Sequence, residues 1–420
     1  MSAPLLPVTL GDIEAAARRI EGQVLRTPFL EAPRLSEFTG ARIFVKYENL
    51  QATSSFKDRG ALNKLLGLSE AERSRGVIAM SAGNHAQAVA YHARRLGAPA
   101  TIVMPETTPF VKVANTEGFG ARVVLAGETI ADARPTMETI AAREGLTLIH
   151  PYDDPLIIAG QGTIGLEIAD DLERNDLSLD VMVVPVGGGG LIAGIAVALA
   201  ARRAEVEVLG VEAALYPSMH CALHGLEAPI GGATLAEGIA VKVPGIHTLP
   251  IIKAHVADML LADEHAIECA VAAFLSVQKT MAEGAGAAPL AAVLADPARF
   301  RGRSIALILS GGNIDPRMLA SVTVRSLERD GKIVALRLTT EDRPGVLGHI
   351  ATLLGRSGAN ILEVSHRRML LDVPAKGASV DLLIEVKNAA HAAEVEAALA
   401  ADGLKARRLK AGDGGDVLTG

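Results

Sequence analysis

Residues 181–201 constrain the fold more than any other part of the sequence, because none of them carries a charged side chain. A stretch of this length could span a membrane as a helix. However, Pro185 and the four consecutive glycines at 187–190 would interrupt such a helix. The pattern is instead typical of a strand, a glycine turn and a buried helix, which together form one unit of a parallel α/β sheet.

The same alternation of short apolar runs and helical segments extends from about residue 10 to residue 316. Strands are predicted at 76–80, 100–104, 181–186, 207–211 and 304–309, and helices at 84–96, 163–172 and 191–202. Runs such as VMVVPV and IALILS are apolar at nearly every position, as expected of parallel strands that helices cover on both faces. We therefore predict an α/β fold built on open parallel sheets.

A second domain is predicted beyond a charged segment at 317–331, which reads as a linker or a connecting helix. The pattern that follows indicates strands at 332–340, 359–370, 378–387 and 404–409, with helices at 345–358 and 389–402. That order, βαββαβ, is the ferredoxin-like arrangement. We predict a first domain over 1–320, a linker at 321–331, the ferredoxin-like domain over 332–410 and a disordered Gly- and Asp-rich tail at 411–420.

The composition argues against several classes of partner. Aromatic residues make up 3% of the 420 residues, there is no Trp, and the formal net charge is −7. A nucleic-acid surface needs stacking aromatics or positive charge, so none is expected. Basic residues are scattered, which argues against a membrane-surface patch. Cys221 and Cys269 form no disulfide framework, and the first ten residues lack a basic signal segment, so a cytoplasmic location is expected.

The first candidate functional motif is SSFKDRGA at 54–61, which begins a helical pattern. The positive end of a helix dipole and burial both favour the neutral amine of Lys57. A neutral lysine is what covalent chemistry at a carbonyl carbon requires. This motif alone leaves open a solvated Lys57 that is paired with Asp58.

The second motif is the glycine run 187–190, placed between a predicted strand and a predicted helix. Glycines let the main chain approach an anion, and the helix N-terminus that follows favours negative charge. The anion need not be a simple phosphate, because Gly188, Gly190 and Ala193 also match the dinucleotide pattern GxGxxA, with Glu212 about twenty residues on. An NAD-dependent oxidoreductase is therefore the alternative.

Two further motifs follow predicted strands, where α/β folds bind ligands. In SAGNHAQ, the side chains of Ser81, Asn84 and His85 and the loop amides could hold a carboxylate, although Ser81 or Asn84 could equally cap the helix. His92 belongs to no metal-binding pattern and is expected to be a surface or core histidine. The motif SGGN at 310–313 ends the last predicted strand of the first domain.

Together these motifs occur in the order SSFKDRGA, SAGNHAQ, GGGGL, EGAGA and SGGN. In this order, over about residues 10–316, the chain resembles the fold-type II pyridoxal-phosphate (PLP) enzymes, in particular threonine and serine dehydratases and serine racemase. The resemblance implies two open parallel-sheet lobes, the smaller at about 50–150 inserted in the larger. A dinucleotide-binding enzyme would account only for the glycine run.

The resemblance also implies a role for each motif. Lys57 would bind the cofactor covalently and then act as the base at the substrate Cα. Phe56 would pack on the cofactor ring, Asn84 would bond its 3-oxygen, the glycine loop would hold its phosphate, and Ser310 would meet its pyridine nitrogen. The implied cofactor-binding residues are Lys57, Phe56, Asn84, Gly187, Gly188, Gly189, Gly190, Leu191 and Ser310, and the implied substrate-binding residues are Ser81, Asn84, His85 and Glu283.

The implied reaction is an α,β-elimination that releases water and then ammonia. L-Threonine would give 2-oxobutyrate and L-serine would give pyruvate, while 3-hydroxyaspartate is a third candidate substrate. A neutral hydroxyl at Ser310 stabilises a pyridinium less than a carboxylate would, which favours loss of the β-hydroxyl over reprotonation. An amino-acid sensor with an inactive catalytic half is the non-enzymatic alternative, and the presence of Lys57, Asn84 and Ser310 argues against it.

Two positions depart from the family pattern. Serine racemase resembles this chain but has Ser at the position of Ala82, where its hydroxyl acts as acid and base on the second face of the cofactor. Little racemisation is therefore expected. The family's cation site follows a strand ending in Glu, here Glu212, but residues 213–217 supply no second carboxylate. No metal-ligand set is predicted.

The C-terminal domain resembles the ACT family, with Asp-Arg-Pro-Gly at 342–345 between the first strand and helix. This turn leads into a helix N-terminus, a suitable place for an amino-acid carboxylate. The resemblance implies a homodimer or homotetramer and, by analogy with biosynthetic threonine dehydratases, regulation by isoleucine or valine. Asn360 and His366 are candidate contacts. A role in assembly alone is the alternative.

Overall fold

The computed structural model describes residues 6–367 and 377–409, and the tail predicted at 411–420 lies outside them. The chain forms two compact units, Met1–Ile314 and Asp315–Gly420. The helices of the first unit are α1 (Leu10–Ile20), α2 (Pro33–Thr39), α3 (Lys57–Leu66), α4 (Glu70–Arg75), α5 (Asn84–Arg95), α6 (Phe110–Gly118), α7 (Ile130–Glu144), α8 (Pro155–Arg174), α9 (Gly190–Arg202), α10 (Ser218–His224), α11 (Thr248–His255), α12 (Glu264–Ser276), α13 (Gly284–Ala295) and α14 (Pro297–Phe300).

Two sheets organise this unit. Its strands are β1 (Phe29–Glu31), β2 (Arg42–Tyr47), β3 (Val77–Met80), β4 (Ala100–Met104), β5 (Arg122–Leu125), β6 (Thr147–Leu148), β7 (Val181–Pro185), β8 (Glu207–Ala213), β9 (Asp258–Ala262) and β10 (Ser304–Leu309). The larger sheet has the order β1-β2-β10-β7-β8-β9, and the smaller, wholly parallel sheet has the order β5-β4-β3-β6.

The predicted α/β class is confirmed, with one correction to the prediction of parallel sheets. Strand β1 pairs antiparallel with β2 at the edge of the larger sheet, while the other pairs in that sheet are parallel. Three residues are too few to show a period in the sequence. An antiparallel edge strand on a parallel sheet is a common arrangement, because an edge strand needs no buried crossover.

The uncharged stretch at 181–201 folds as β7, a glycine turn and α9. Gly189 has φ of +92°, a conformation that favours glycine, and it ends the turn at the start of α9. Helix α9 packs closely on α8, since a Cβ on Gly194 would lie 2.4 Å from the carbonyl oxygen of Ile158. Among residues 6–367 and 377–409, no helix is long and apolar enough to cross a membrane.

The second unit has helices α15 (Pro316–Arg329), α16 (Val346–Arg356) and α17 (Ala389–Ala401) and strands β11 (Ile333–Glu341), β12 (Asn360–Arg367), β13 (Gly377–Glu385) and β14 (Lys405–Arg408). Its sheet is antiparallel, in the order β12-β13-β11-β14, which is the ferredoxin-like topology. The charged segment that could be a linker or a connecting helix lies mostly in α15, which begins at Pro316 with Asp315 as its N-cap.

Candidate active site

The predicted motifs meet at the carboxyl ends of the two sheets of the first unit. Strands β10 and β7 are neighbours, so Ser310 and the glycine loop at 187–190 follow adjacent parallel strands. In the smaller sheet β3 and β6 are neighbours, so the loop at 81–84 lies beside residues 149–153. Ligands of open α/β sheets bind at such edges, because the loops there are free to vary while the strands hold them in place.

The loop that carries Lys57 is fixed to the loop that carries Ser310. Residues 53–56 and 310–313 run antiparallel, and the main-chain N–H of Phe56 donates to the carbonyl of Ser310 at 3.0 Å. Ser310 itself is 2% exposed and directly follows β10. The lysine and the serine hydroxyl therefore project from neighbouring stretches of main chain, as a site shared by both motifs requires.

The amine of Lys57 lies in the interior of the cleft and has no carboxylate partner in the described part of the chain. It donates to the carbonyl oxygen of Pro151 at 2.6 Å. Burial lowers the pKa of Lys57 to about 8, and the negative charge of Glu283 offsets this only in part. Asp58 turns away and accepts hydrogen bonds from the main chain and hydroxyl of Thr53. The alternative of a solvated lysine paired with Asp58 is therefore wrong.

The ring of Phe56 lies beside this amine, and the glycine loop packs against Thr248 and Tyr152. The Lys57 nitrogen is 5.1 Å from the centroid of the Phe56 ring. In the loop, the side chain of Thr248 donates to the carbonyl of Gly188 at 2.7 Å, and this hydrogen bond fixes the turn. A Cβ on Gly188 would lie 2.2 Å from the ring of Tyr152, so only glycine permits this packing.

Asn84 is held by two side chains at the N-terminus of α5. Its amide nitrogen donates to Glu283 at 2.6 Å, and its oxygen accepts from Asn313 at 2.8 Å. Burial raises the pKa of Glu283 to about 7, against the hydrogen bond from Asn84, which lowers it. A Cβ on Gly311 would lie 2.3 Å from the Glu283 carboxylate, which accounts for a glycine in the SGGN motif. The second amide hydrogen of Asn84 remains for a ligand.

Ser81 and His85 differ in what they offer to a substrate. The Ser81 hydroxyl accepts from the N–H of Gly83 at 3.2 Å, and a Cβ on Gly83 would meet nothing within 4 Å, so this loop faces open space. His85 is 3% exposed, and its ring nitrogen Nε2 lies 2.8 Å from the carbonyl of Ile149. Burial, and then the charge of Lys57, lower the pKa of His85 to about 3. Because the ring of His85 is buried and already bonded, only the main-chain N–H of this residue is available for the substrate contact that was predicted for it.

Glu212 and His92 both have partners within the fold. The Glu212 carboxylate accepts hydrogen bonds from the main chain of Met219 and His220 at the start of α10, both at 2.8 Å. Burial raises the pKa of Glu212 to about 7 against these hydrogen bonds. His92 is buried, with Nε2 3.6 Å from Asp58, so it belongs to the core. Among residues 6–367 and 377–409, no three metal-binding side chains cluster.

The turn at 150–153 contacts both Lys57 and the glycine loop and was not predicted from the sequence. Pro151 accepts from Lys57, and the hydroxyl of Tyr152 donates to the carbonyl of Val243 at 3.1 Å. The turn follows β6, which has only two residues. A strand that short leaves no periodic signal in the sequence.

A group of buried charges beside Lys57 was missed as well. Arg59 is fully buried and pairs with Glu48 at 2.8 Å and with Glu167 at 2.6 Å. Lys46, also fully buried, pairs with Glu167 at 2.5 Å. The two cations and two carboxylates balance. Their separation along the chain, up to 121 residues, means that no local pattern could have linked them.

Comparison with known proteins identifies the family. Residues 20–311 match the family described as "Pyridoxal-phosphate dependent enzyme". The chain belongs to this family. Its cofactor is therefore pyridoxal phosphate, and the alternative of an NAD-dependent oxidoreductase is wrong. Residues 334–403 match the ACT domain, so the second unit contains an ACT domain.

Individual relatives cover nearly the whole chain. L-threonine ammonia-lyase of Thermotoga maritima is 43% identical over 95% of this chain and 99% of its own length. L-threonine ammonia-lyase of Geobacter sulfurreducens is 41% identical over 93% of this chain and 96% of its own. The crystal structure of a T.th. threonine deaminase is 42% identical and matches with a TM-score of 0.69, over 73% of this chain and 99% of its own.

The residues of the site fit this cofactor. The amine of Lys57, with its pKa lowered to about 8, is partly neutral near physiological pH, as covalent binding of an aldehyde requires. The glycine loop at the N-terminus of α9 provides main-chain N–H groups and a positive dipole end for a phosphate. Asn84 retains a donor for a ring oxygen.

Proposed function

We propose that this enzyme is an L-threonine ammonia-lyase that converts L-threonine to 2-oxobutyrate and ammonia, and L-serine to pyruvate and ammonia. The observation that carries the proposal is the amine of Lys57, which has no carboxylate partner among the described residues and donates to Pro151, in the same turn as the Tyr152 ring that packs on the glycine loop. The names of the two bacterial relatives, each similar over more than nine tenths of the chain, supply the substrate class.

The cofactor would be held by Lys57, Phe56, Asn84, Gly187, Gly188, Gly189, Gly190, Leu191 and Ser310. When bound, pyridoxal phosphate supplies an electron sink that stabilises negative charge at the substrate Cα. Asn84 orients the ring through its free amide hydrogen, because Glu283 and Asn313 fix the plane of its side chain. Ser310 would offer the ring nitrogen a neutral hydroxyl, which would limit how far that charge spreads.

Lys57 is the base in this proposal. With cofactor and substrate bound, the free amine of Lys57 would remove the proton from the substrate Cα. Its pKa of about 8 suits this task, since a general base works best when its pKa lies near the working pH. The carbonyl of Pro151 accepts a hydrogen bond from the free amine and so keeps it in place.

The substrate carboxylate would bind at the loop 81–85, through the Ser81 hydroxyl and the main-chain N–H groups of Asn84 and His85 at the start of α5, since the one free amide hydrogen of Asn84 is assigned to the cofactor ring. Glu283, which the family resemblance implies as a substrate-binding residue that orients the substrate hydroxyl, accepts from Asn84, and we propose that it acts on the substrate through that amide. Ala82 has no hydroxyl to return a proton to the opposite face, and elimination is therefore expected to exceed racemisation.

For the ACT domain we propose amino-acid regulation, with isoleucine or valine as effector. Gly345, with φ of +88°, turns the chain into α16 directly after the Asp-Arg-Pro segment, so main-chain N–H groups there can receive a carboxylate. Asn360 and His366, on β12, remain candidate contacts. We propose a cytoplasmic homodimer or homotetramer that serves isoleucine biosynthesis. The described structure has Cys221 and Cys269 as free thiols, in keeping with that compartment.

The test is the visible absorption spectrum of the purified protein before and after L-threonine, with 2-oxobutyrate assayed. We expect an absorption band from the lysine-bound cofactor, loss of that band in Lys57→Ala, and release of 2-oxobutyrate by the wild type. A band without oxo acid from threonine would refute the substrate and retain the cofactor site. A change of rate or thermal midpoint on adding isoleucine or valine tests regulation, which an unchanged rate and midpoint would refute for those two ligands.

A further inference from the structure

Residues 149–152, which follow β6, contact the site's histidine, its lysine and its glycine loop. The carbonyl of Ile149 lies 2.8 Å from the Nε2 nitrogen of His85, and the carbonyl of Pro151 accepts from Lys57 at 2.6 Å. His150 lies between them in the chain. The direction of both carbonyls therefore depends on the main-chain conformation at His150.

The ring of His150 holds this main chain in a turn. Its Nδ1 nitrogen accepts from the N–H of Asp153 at 2.8 Å and from the N–H of Tyr152 at 3.3 Å. A nitrogen that accepts two main-chain N–H groups has no proton of its own, so the ring is neutral and carries its proton on Nε2. Burial lowers the pKa of His150, with Lys57 and Arg134 acting in the same direction and Asp153 and Asp154 against it.

The residues that this turn orders act on the glycine loop. The ring of Tyr152 packs against Gly188, and its hydroxyl bonds the carbonyl of Val243. The Asp153 carboxylate accepts from the main chain of Ile246 at 2.9 Å and of His247 at 2.8 Å, which fixes the segment that covers the loop. One histidine thus supports both the acceptor for Lys57 and the side chain that packs on the phosphate loop.

We propose that His150 is a positioning residue of the reaction, which acts through its Nδ1 acceptor to hold the turn that places Lys57 and Tyr152. The inference rests on the proposed function for its activity measurement. The structural requirement is narrow: a side chain that accepts from main-chain N–H groups two and three residues ahead. Asn meets it, because its side-chain oxygen bonds the same N–H groups in an Asx turn, whereas Ala does not.

The experiment compares His150→Ala and His150→Asn in the holoenzyme, with His265→Ala, an exposed histidine on α12, as the matched control. For His150→Ala we expect kcat to fall about 10- to 100-fold, the scale that a misplacement of about 1 Å produces. The lower-pH limb of the kcat profile should move to higher pH, because a loosened turn admits water and reduces the burial that lowers the pKa of Lys57. His150→Asn should restore both quantities.

Each outcome decides the question. Wild-type kcat and an unmoved limb in His150→Ala would overturn the proposal. Equal loss in both variants, with an unchanged thermal midpoint, would also overturn it, because the ring itself would then be required. If His150→Ala does not fold, His150→Asn alone decides the question. A lower-pH limb at the wild-type position supports the role of the turn, and a displaced limb refutes it. Failure of the proposed function is distinct, since the wild type itself would then give no oxo acid from threonine.

Discussion

The first turn of α3 presents two cations in opposite environments, the partly buried Lys57 and the fully buried Arg59. Lys57 faces the cleft, where its only described hydrogen bond is to the neutral carbonyl of Pro151, and burial lowers its pKa to about 8. Arg59 faces the interior. Burial opposes its charge as well, but the carboxylates of Glu48 and Glu167 outweigh burial and raise the pKa of Arg59.

This contrast shows how the chain separates reactivity from stability within two residues. A buried cation without a counter-ion binds its proton less tightly and can lose it, which a nucleophile and base need. A buried cation between two carboxylates keeps its charge and fixes the elements that it joins. Glu48 follows β2 and Glu167 lies on α8. Arg59 therefore connects the first turn of α3 to the end of β2 and to α8. The interior side holds α3, while the cleft side carries the lysine that is proposed to react.

The largest expected effect comes from removing the cation on the cleft side. Lys57→Ala should lower kcat by about 10⁴-fold, the upper range for loss of a general base, and should abolish the cofactor's lysine-bound absorption band. Its thermal midpoint, measured without cofactor in both proteins, should not fall, because a buried amine without a counter-ion is removed. A substantially lower midpoint would mean that Lys57 also supports the fold, and the contrast with Arg59 would fail.

Breaking the interior side should instead cost stability. In Glu48→Gln the Arg59 charge loses one of its two carboxylates, and we expect the free energy of unfolding in urea to fall by about 3–5 kcal/mol. Glu31→Gln is the matched control, since its pairing with Arg42 is on the surface. That variant should lose no more than about 1 kcal/mol. If the two variants lost the same free energy of unfolding, the buried ion pairs of Arg59 would contribute no more to stability than a surface pair.

Much of this site was accessible from the sequence, and the part that was missed has a physical reason. The glycine run between an apolar strand and an apolar helix predicted an anion loop, because composition and order alone specify that unit. The partners of Arg59 did not emerge, since Glu167 lies 108 residues away in the chain. The turn at His150 was missed because β6 has only two residues, and the antiparallel β1 because it has three. Short elements take their structure from tertiary contacts.

A smaller effect should follow from removing the charge of Glu283, which acts on the pKa of Lys57. Glu283 raises the pKa of Lys57, so Glu283→Gln should lower it, while the Gln oxygen still accepts from Asn84. Because Lys57 must be neutral to take a proton, the lower limb of the kcat profile should then move to lower pH. Activity on that limb should rise relative to the plateau by less than about tenfold, since a full unit of pKa is worth only that factor. A shift to higher pH would contradict the assignment.

The smallest expected effect on the pH profile of kcat concerns how Asp58 is kept away from Lys57. Thr53 is buried and donates to the Asp58 carboxylate through its main chain and its hydroxyl. Thr53→Val removes the hydroxyl donor, which should cost about 1.5–3 kcal/mol in the free energy of unfolding. The main-chain bond remains, so Asp58 should stay in place and the kcat limb should not move. Should the limb move to higher pH instead, Asp58 would have turned toward the amine and raised its pKa. The neutrality of Lys57 would then depend on the Thr53 hydroxyl as well as on burial.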